Sequence, residues 1–225
     1  DADTGRFFFR IGFNYRGSGE FSEEKLRTQL TDRASAFEVE WELRNLGTLE
    51  KVVILVSKYD HCLQDLLHRY STGALNIEVP AIISNHPDLQ KQAGWYNIPY
   101  YHLPVTPETK AEQEAKMWNI IQHSKADLVV LARYMQVLSE DMCKKLHGHA
   151  INIHHSLLPG FKGAKPYHQA YDKGVKLVGA TAHYVSQDLD EGPIITQGVE
   201  SVDHTYTPER LVAKGRDTER ITLAR

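Results

Sequence analysis

Val52-Val-Ile-Leu-Val56 is an unbroken apolar run in which every residue but Leu55 is β-branched. A strand with one wet face alternates polar and apolar residues, whereas an unbroken run is covered by helices on both faces, as in a parallel sheet. Asp127-Leu-Val-Val-Leu-Ala132 has the same texture. Around these runs helical and strand periods alternate: helix over 61–70, strand over 77–84, short helix over 88–95 and strand over 100–103. A helix capped by Thr106, with Pro107 in its first turn, runs to 123. After 127–132 come a helix over 139–146, a strand over 150–154 and a helix over 167–173. Strands over 177–185 and 194–199 follow, and Thr207-Pro208 opens a last helix through 220. This alternation predicts an open, mostly parallel α/β sheet whose ligands bind at the carboxyl ends of the strands.

Ahead of residue 50 the texture differs. Arg6-Phe-Phe-Phe-Arg-Ile-Gly-Phe13 reads as a strand, 23–30 as a short helix, and Phe37-Glu-Val-Glu-Trp-Glu-Leu43 alternates with period two. The expectation is a small strand–helix–strand domain over 1–45, a linker at Arg44-Asn-Leu-Gly-Thr48, and the α/β domain over 50–225. Gly17-Ser-Gly19 reads as a loop, since no buried strand leads into it and no dinucleotide fingerprint surrounds it. The chain opens at Asp1 on a turn-like stretch and closes within a helical pattern, as if it continues beyond both ends.

A chain of 225 residues carries its own core. Its 26 basic and 29 acidic residues leave a net charge of −3, and no basic run interleaves with aromatics, so nucleic acid is excluded as a partner. Cys62 and Cys143 stand far apart in apolar helical contexts without a CxxC pair, which points to buried, reduced thiols and a cytoplasmic protein. The longest apolar runs are strand-length, and no signal-like segment is present, so no membrane span is expected.

The chemistry concentrates in two places. Asn152 and His154 lie two residues apart on the strand Ala150-Ile-Asn-Ile-His154, so their side chains share a face. Asp190 follows 36 residues after His154, behind an apolar stretch able to run beside the first. An acyl carbon attacked by water needs a donor for the developing oxyanion and a base for the water proton. Asn152 supplies an uncharged donor, His154 either function, and a carboxylate beside the imidazole fixes its tautomer. Taken singly, these residues read as a strand-edge amide, a satisfied histidine and a turn former. Histidines 147, 149, 154, 155, 168 and 183 raise a metal hydrolase as a rival. Their spacing is not HExxH, and adjacent His154 and His155 should point in opposite directions on a strand, so no metal is expected. His155 and His183 are read instead as groups that orient Asp190 or its loop. Ser156 lacks a glycine-flanked elbow and reads as a loop serine bonded to backbone.

Ile151-Asn-Ile-His-His-Ser-Leu-Leu-Pro159, Gly179-Ala-Thr-Ala-His-Tyr-Val185 and Asp190-Glu-Gly-Pro-Ile-Ile-Thr-Gln197 together resemble the folate-dependent formyltransferases and formyl hydrolases. Two details look like the formyltetrahydrofolate deformylases rather than the glycinamide ribonucleotide transformylases. One is His155, where the transferases have proline. The other is Ser57-Lys-Tyr-Asp60, a turn without the glycine that a phosphate-cradling nest favours. The resemblance covers the chain from Lys51 onward, with a weaker match before it. It implies a formyltransferase-type, Rossmann-like sheet and hydrolysis of 10-formyltetrahydrofolate to formate and tetrahydrofolate, feeding one-carbon and purine metabolism. Asn152, His154 and Asp190 are then catalytic. Met135, Gln136, Val137 and Leu138, with the loop Ser186, Gln187, Asp188 and Leu189, hold the folate. No cofactor beyond that substrate is implied. The N-terminal segment resembles part of an ACT domain, a ferredoxin-like module, which implies a homo-oligomer and an amino-acid effector. A transferase using an amine acceptor, or a non-catalytic sensing module, are the competing expectations.

Overall fold

β1 (Glu50–Val56) is buried over its last five residues. Val52, Ile54 and Val56 pack into one apolar cluster and Val53 and Leu55 into another, so both faces of the strand are covered. The computed structural model describes residues 7, 9–16, 21–37, 39–160 and 166–225, and the chain divides into two units, Asp1–Thr48 and Leu49–Arg225.

The second unit is an α/β sheet in the order β4-β3-β1-β5-β6-β7-β8, with β2 paired to the start of β1. The strands are β2 (Ile77–Glu78), β3 (Ile82–Ser84), β4 (Tyr100–His102), β5 (Leu128–Leu131), β6 (Ala150–His154), β7 (Leu177–Tyr184) and β8 (Ile194–Ser201). Pairing is parallel from β4 to β6 and antiparallel across β6, β7 and β8. One cluster takes Leu63 and Leu67 from α2 (His61–Ser71) and Ala93 from α3 (Gln90–Trp95). The other takes Met117 and Ile121 from α4 (Lys110–His123) and Met142 from α5 (Glu140–Lys145). Each fully buried aliphatic side chain contributes roughly 1.5–3 kcal/mol. Among the described residues no helix is long and apolar enough to cross a membrane.

Three boundaries differ most from the sequence reading. The strand expected over 77–84 is broken into β2 and β3 around Pro80, which lacks the N–H a continuous ladder needs. α4 begins at Lys110 because Thr106 and Thr109 bond each other's amides through their hydroxyls, closing a separate turn. α7 (Pro208–Leu223) starts as expected, with Thr207 accepting from the Arg210 amide, but runs three residues past 220.

In the first unit α1 (Glu23–Ser35) forms behind its Ser22 cap, longer than the expected 23–30. Among the described residues the two flanking strands do not form: residues 7, 9–13, 37 and 39–43 have no ladder partner. Alternation selects a face but does not supply a partner, and α1 buries none of its residues, so no apolar layer covers such a sheet. The expected ferredoxin-like sheet is therefore absent among the described residues. Arg6, Phe8, Glu38 and the Gly17-Ser-Gly19 loop lie outside them.

α7 meets α6 (Pro166–Asp172) at Gly215, where a Cβ would overlap the ring of Tyr167. Gly215→Ala is expected to lower the urea-unfolding free energy by about 1–3 kcal/mol through overpacking, although alanine favours a helix by roughly 1 kcal/mol over glycine. An unchanged midpoint would mean that Tyr167 relocates freely.

Candidate active site

β6 is the strand where the sheet changes from parallel to antiparallel neighbours. Its register sets Asn152 opposite His183 and His154 opposite Thr181 on β7. Tyr184 is already opposite Ile151, near the start of β6, yet Asp190 reaches His154 at its end; the β7–β8 loop therefore doubles back. Two backbone features make the return possible. Asp190 adopts a left-handed φ of 58°, a region short polar residues tolerate. Gly192 lies so close to the Tyr184 carbonyl that a Cβ would collide with it.

The three nominated groups converge. His154 Nδ1 stands 3.2 Å from Asp190 Oδ2, and His183 Nε2 3.7 Å from Asp190 Oδ1. Asn152 Nδ2 donates to His183 Nε2 at 3.1 Å, while His183 Nδ1 donates to the Tyr184 carbonyl at 2.9 Å. A carbonyl can only accept, so the His183 proton resides on Nδ1 and its Nε2 takes the amide hydrogen. His154 directs Nδ1 to the carboxylate, which leaves Nε2 as the reactive nitrogen. That atom is buried and has no hydrogen-bond partner among the described residues. Burial pushes the Asp190 carboxyl up, but the hydrogen bond and charge of His154 outweigh it and hold the group well below the usual carboxylate range. Asp190 therefore stabilises the fold at pH above its ordinary value, and the contribution is lost as pH falls through the depressed one.

A cavity of about 620 Å³ opens in front of this set. Met135, Gln136, Val137 and Leu138 line one wall, and Met135 and Val137 are 49% and 56% exposed, apolar surface left uncovered. Ser57 anchors that wall, accepting from the Met135 amide at 2.9 Å while donating to Asn85 at 2.6 Å. Ser186, Gln187 and Leu189 line another wall. Asp188 is the one nominated residue that does not border the cavity: its carbonyl closes the turn, accepting from Ser186 Oγ and the Glu191 amide.

His155 differs from expectation. β6 ends at His154, so strand alternation stops there, and both rings border the cavity with centroids 5.1 Å apart. His183, not His155, contacts Asp190. Burial, then the charges of Arg133 and His154, push the His155 pKa down to about 3. Ser156 donates to the Gly160 carbonyl, as a loop serine does. His147 and His149 are exposed at the far end of β6, so the six histidines do not gather around an ion. The metal-type cluster among the described residues is His61, Cys62 and Glu219, and burial raises the Cys62 thiol pKa well above its ordinary value.

Glu219 went unnoticed in the sequence, where a carboxylate on an amphipathic helix reads as solvated. It is 1% exposed, accepts from Tyr167 Oη at 3.0 Å, pairs with His61 Nε2 at 2.7 Å and faces Arg133 Nε at 3.3 Å. Burial opposes its ionisation, but the His61 hydrogen bond and the Arg133 charge lower its pKa. Arg133 is buried as well.

A family model described as formyl transferase matches residues 50–225. The formyltetrahydrofolate deformylase of Corynebacterium sp. (strain P-1) is 52% identical over 97% of this chain and 76% of its own length. That of Bacillus subtilis (strain 168) is 43% identical over 100% of this chain and 75% of its own. Among solved structures, a formyltetrahydrofolate deformylase from Pseudomonas putida superposes with a TM-score of 0.87 at 59% identity, covering 93% of this chain and 75% of that one. A phosphoribosylglycinamide formyltransferase from Coxiella burnetii gives a TM-score of 0.72 at 32% identity over 77% of this chain and 83% of that one.

The depressed His155 pKa has a defined consequence for stability. The folded state resists protonating a ring that the unfolded chain protonates near 6.5, so stability is full above pH 6.5 and falls as pH drops toward about 3. His155→Gln is expected to flatten urea-midpoint-versus-pH curves across that window; a slope equal to wild type would assign the acid loss to other groups.

Proposed function

The chain belongs to the formyl transferase family and, within it, to the formyltetrahydrofolate deformylases, and we propose that Asn152, His154 and Asp190 hydrolyse 10-formyltetrahydrofolate to formate and tetrahydrofolate. The observation that carries this reading is the buried, unpartnered His154 Nε2 at the cavity, with Asp190 behind its Nδ1. Water held at Nε2 gives its proton to His154 as its oxygen attacks the formyl carbon. Asp190 holds the resulting imidazolium. The oxyanion is stabilised by that imidazolium and by the second amide hydrogen of Asn152, the first being committed to His183. The tetrahedral intermediate then breaks its C–N10 bond as N10 takes the proton from His154, and the formic acid formed gives its remaining proton to solvent and leaves as formate. One oxyanion donor contributes on the order of 3–4 kcal/mol to such a barrier.

Met135 to Leu138 hold one side of the folate ring, and the loop 186–190 the other. No cofactor beyond folate enters the chemistry. Water serves as acceptor because the Ser57–Asp60 turn disfavours a phosphorylated amine: it lacks glycine, and Asp60 sets a carboxylate at the start of α2. We assign the chain to the cytoplasm, its formate to one-carbon and purine metabolism, and homo-association and an amino-acid effector to the N-terminal unit. Exposed Phe7, Phe9 and Phe13 there support the association.

Purified chain mixed with 10-formyltetrahydrofolate and no amine is expected to release formate. His154→Ala and Asp190→Asn should each reduce kcat/KM by about 10²- to 10⁴-fold with the circular dichroism unchanged. Dependence on an added amine would make it a transferase, and binding without turnover a sensing module.

A further inference from the structure

Arg133 is only 8% exposed, yet its Nε has no hydrogen-bond partner among the described residues. Glu219 Oε2 is 3.3 Å away, but both oxygens of that carboxylate are already engaged, one by Tyr167 and one by His61. A buried charged donor left unmade is unfavourable, and such groups in native proteins are commonly completed by an ion, a water or a ligand. The backbone of Arg133 is also held at a left-handed φ of 66°, a strained conformation for a long side chain.

A second arginine stands beside it. Arg216, from the exposed side of α7, lies 5.6 Å from the Tyr59 ring centre, against 5.0 Å for Arg133 on the same ring. No carboxylate pairs with Arg216 among the described residues. Tyr59, Arg133 and Arg216 line the same cavity as His154. The charged groups at this corner are two guanidiniums and one carboxylate, Glu219, while His155 stays neutral with its pKa near 3. The corner is net cationic.

We propose that Arg133 and Arg216 form a carboxylate subsite at the Tyr59 corner of the cavity, and that it takes up the formate released at His154. The proposal rests on the deformylase reading. A guanidinium fork matches two carboxylate oxygens on a plane. Hydrolysis creates an anion beside the Asp190 carboxylate, where it is repelled; the cationic corner gives it a favourable place within the same cavity. The glutamate carboxylates of the folate tail offer the same chemistry, so the test separates the two sources.

Carbon-13 formate is titrated by NMR into folate-free wild-type chain, Arg216→Gln and Arg216→Lys. Saturable binding is expected in wild type, weakened roughly 10-fold or more by Gln and less by Lys, with the formate inhibition constant rising in parallel during turnover. Equal formate affinity in all three chains would overturn the subsite. So would unchanged formate affinity joined to a KM increase for 10-formyltetrahydrofolate that disappears with an analogue lacking the glutamate, since Arg216 would then hold the folate tail. The titration needs no turnover, so a chain that releases no formate refutes the deformylase reading while the subsite stands or falls on binding.

Discussion

The return of the β7–β8 loop onto β6 is the constraint on which the site depends. Antiparallel pairing carries β7 away from His154, and only a loop that doubles back can restore a carboxylate to its Nδ1. The left-handed Asp190 and the close approach of Gly192 to Tyr184 belong to that return. His183 makes the geometry self-supporting: through Nδ1 it holds the Tyr184 carbonyl, through Nε2 the Asn152 amide, and it lies beside Asp190. One ring thus ties both neighbouring strands to the loop. His154 Nε2 is left without a partner among the described residues, at a cavity that His154 borders.

Two carboxylates, Asp190 half-buried and Glu219 buried, border one cavity and behave differently. Asp190 is paired with imidazoles, which can take or give a proton, so its contact is suited to a charge that comes and goes. Glu219 also meets an imidazole, His61, but is held in addition by Arg133, whose charge is permanent, and by Tyr167, whose phenol is pushed up by burial and by Glu219 itself. Its contacts join α2, α6, α7 and the loop after β5, and serve to hold that wall in place. A buried ion pair of this kind contributes little net stability over apolar packing; its value here is a fixed charge at a fixed place.

Much of the second unit was legible because its determinants are local. Val52–Val56 and 127–132 betray double burial by lacking alternation, and Thr207-Pro208 carries its cap within two residues. Asn152 and His154 were legible for the same reason, since a period of two is a property of one strand. Asp190 was legible only as a carboxylate behind an apolar stretch able to run beside β6, because nothing local says that a loop returns. The Glu219–Arg133–His61–Tyr167 group was not legible: its members come from four segments, each bland alone. The N-terminal strands, absent among the described residues, show the converse, as period two is local but pairing is not. His155 shows the limit at a single residue, since alternation cannot be carried past the end of a strand whose end is unknown.

Hydrolysis by this arrangement demands one water and the exclusion of the rest. In the free chain the wall of Met135 and Val137 is open to solvent, while the Asp190–His154 contact beside it is largely withdrawn from it. A flat ring laid on that wall removes apolar surface from water, worth about 25 cal/mol per Å², and at the same time dries the side of the cavity facing His154. On the proposed function, substrate binding removes the remaining water from that side and strengthens the Asp190–His154 pairing. Apolar burial on one wall would in this way sharpen the electrostatics on the other, at the moment a formyl group stands before them.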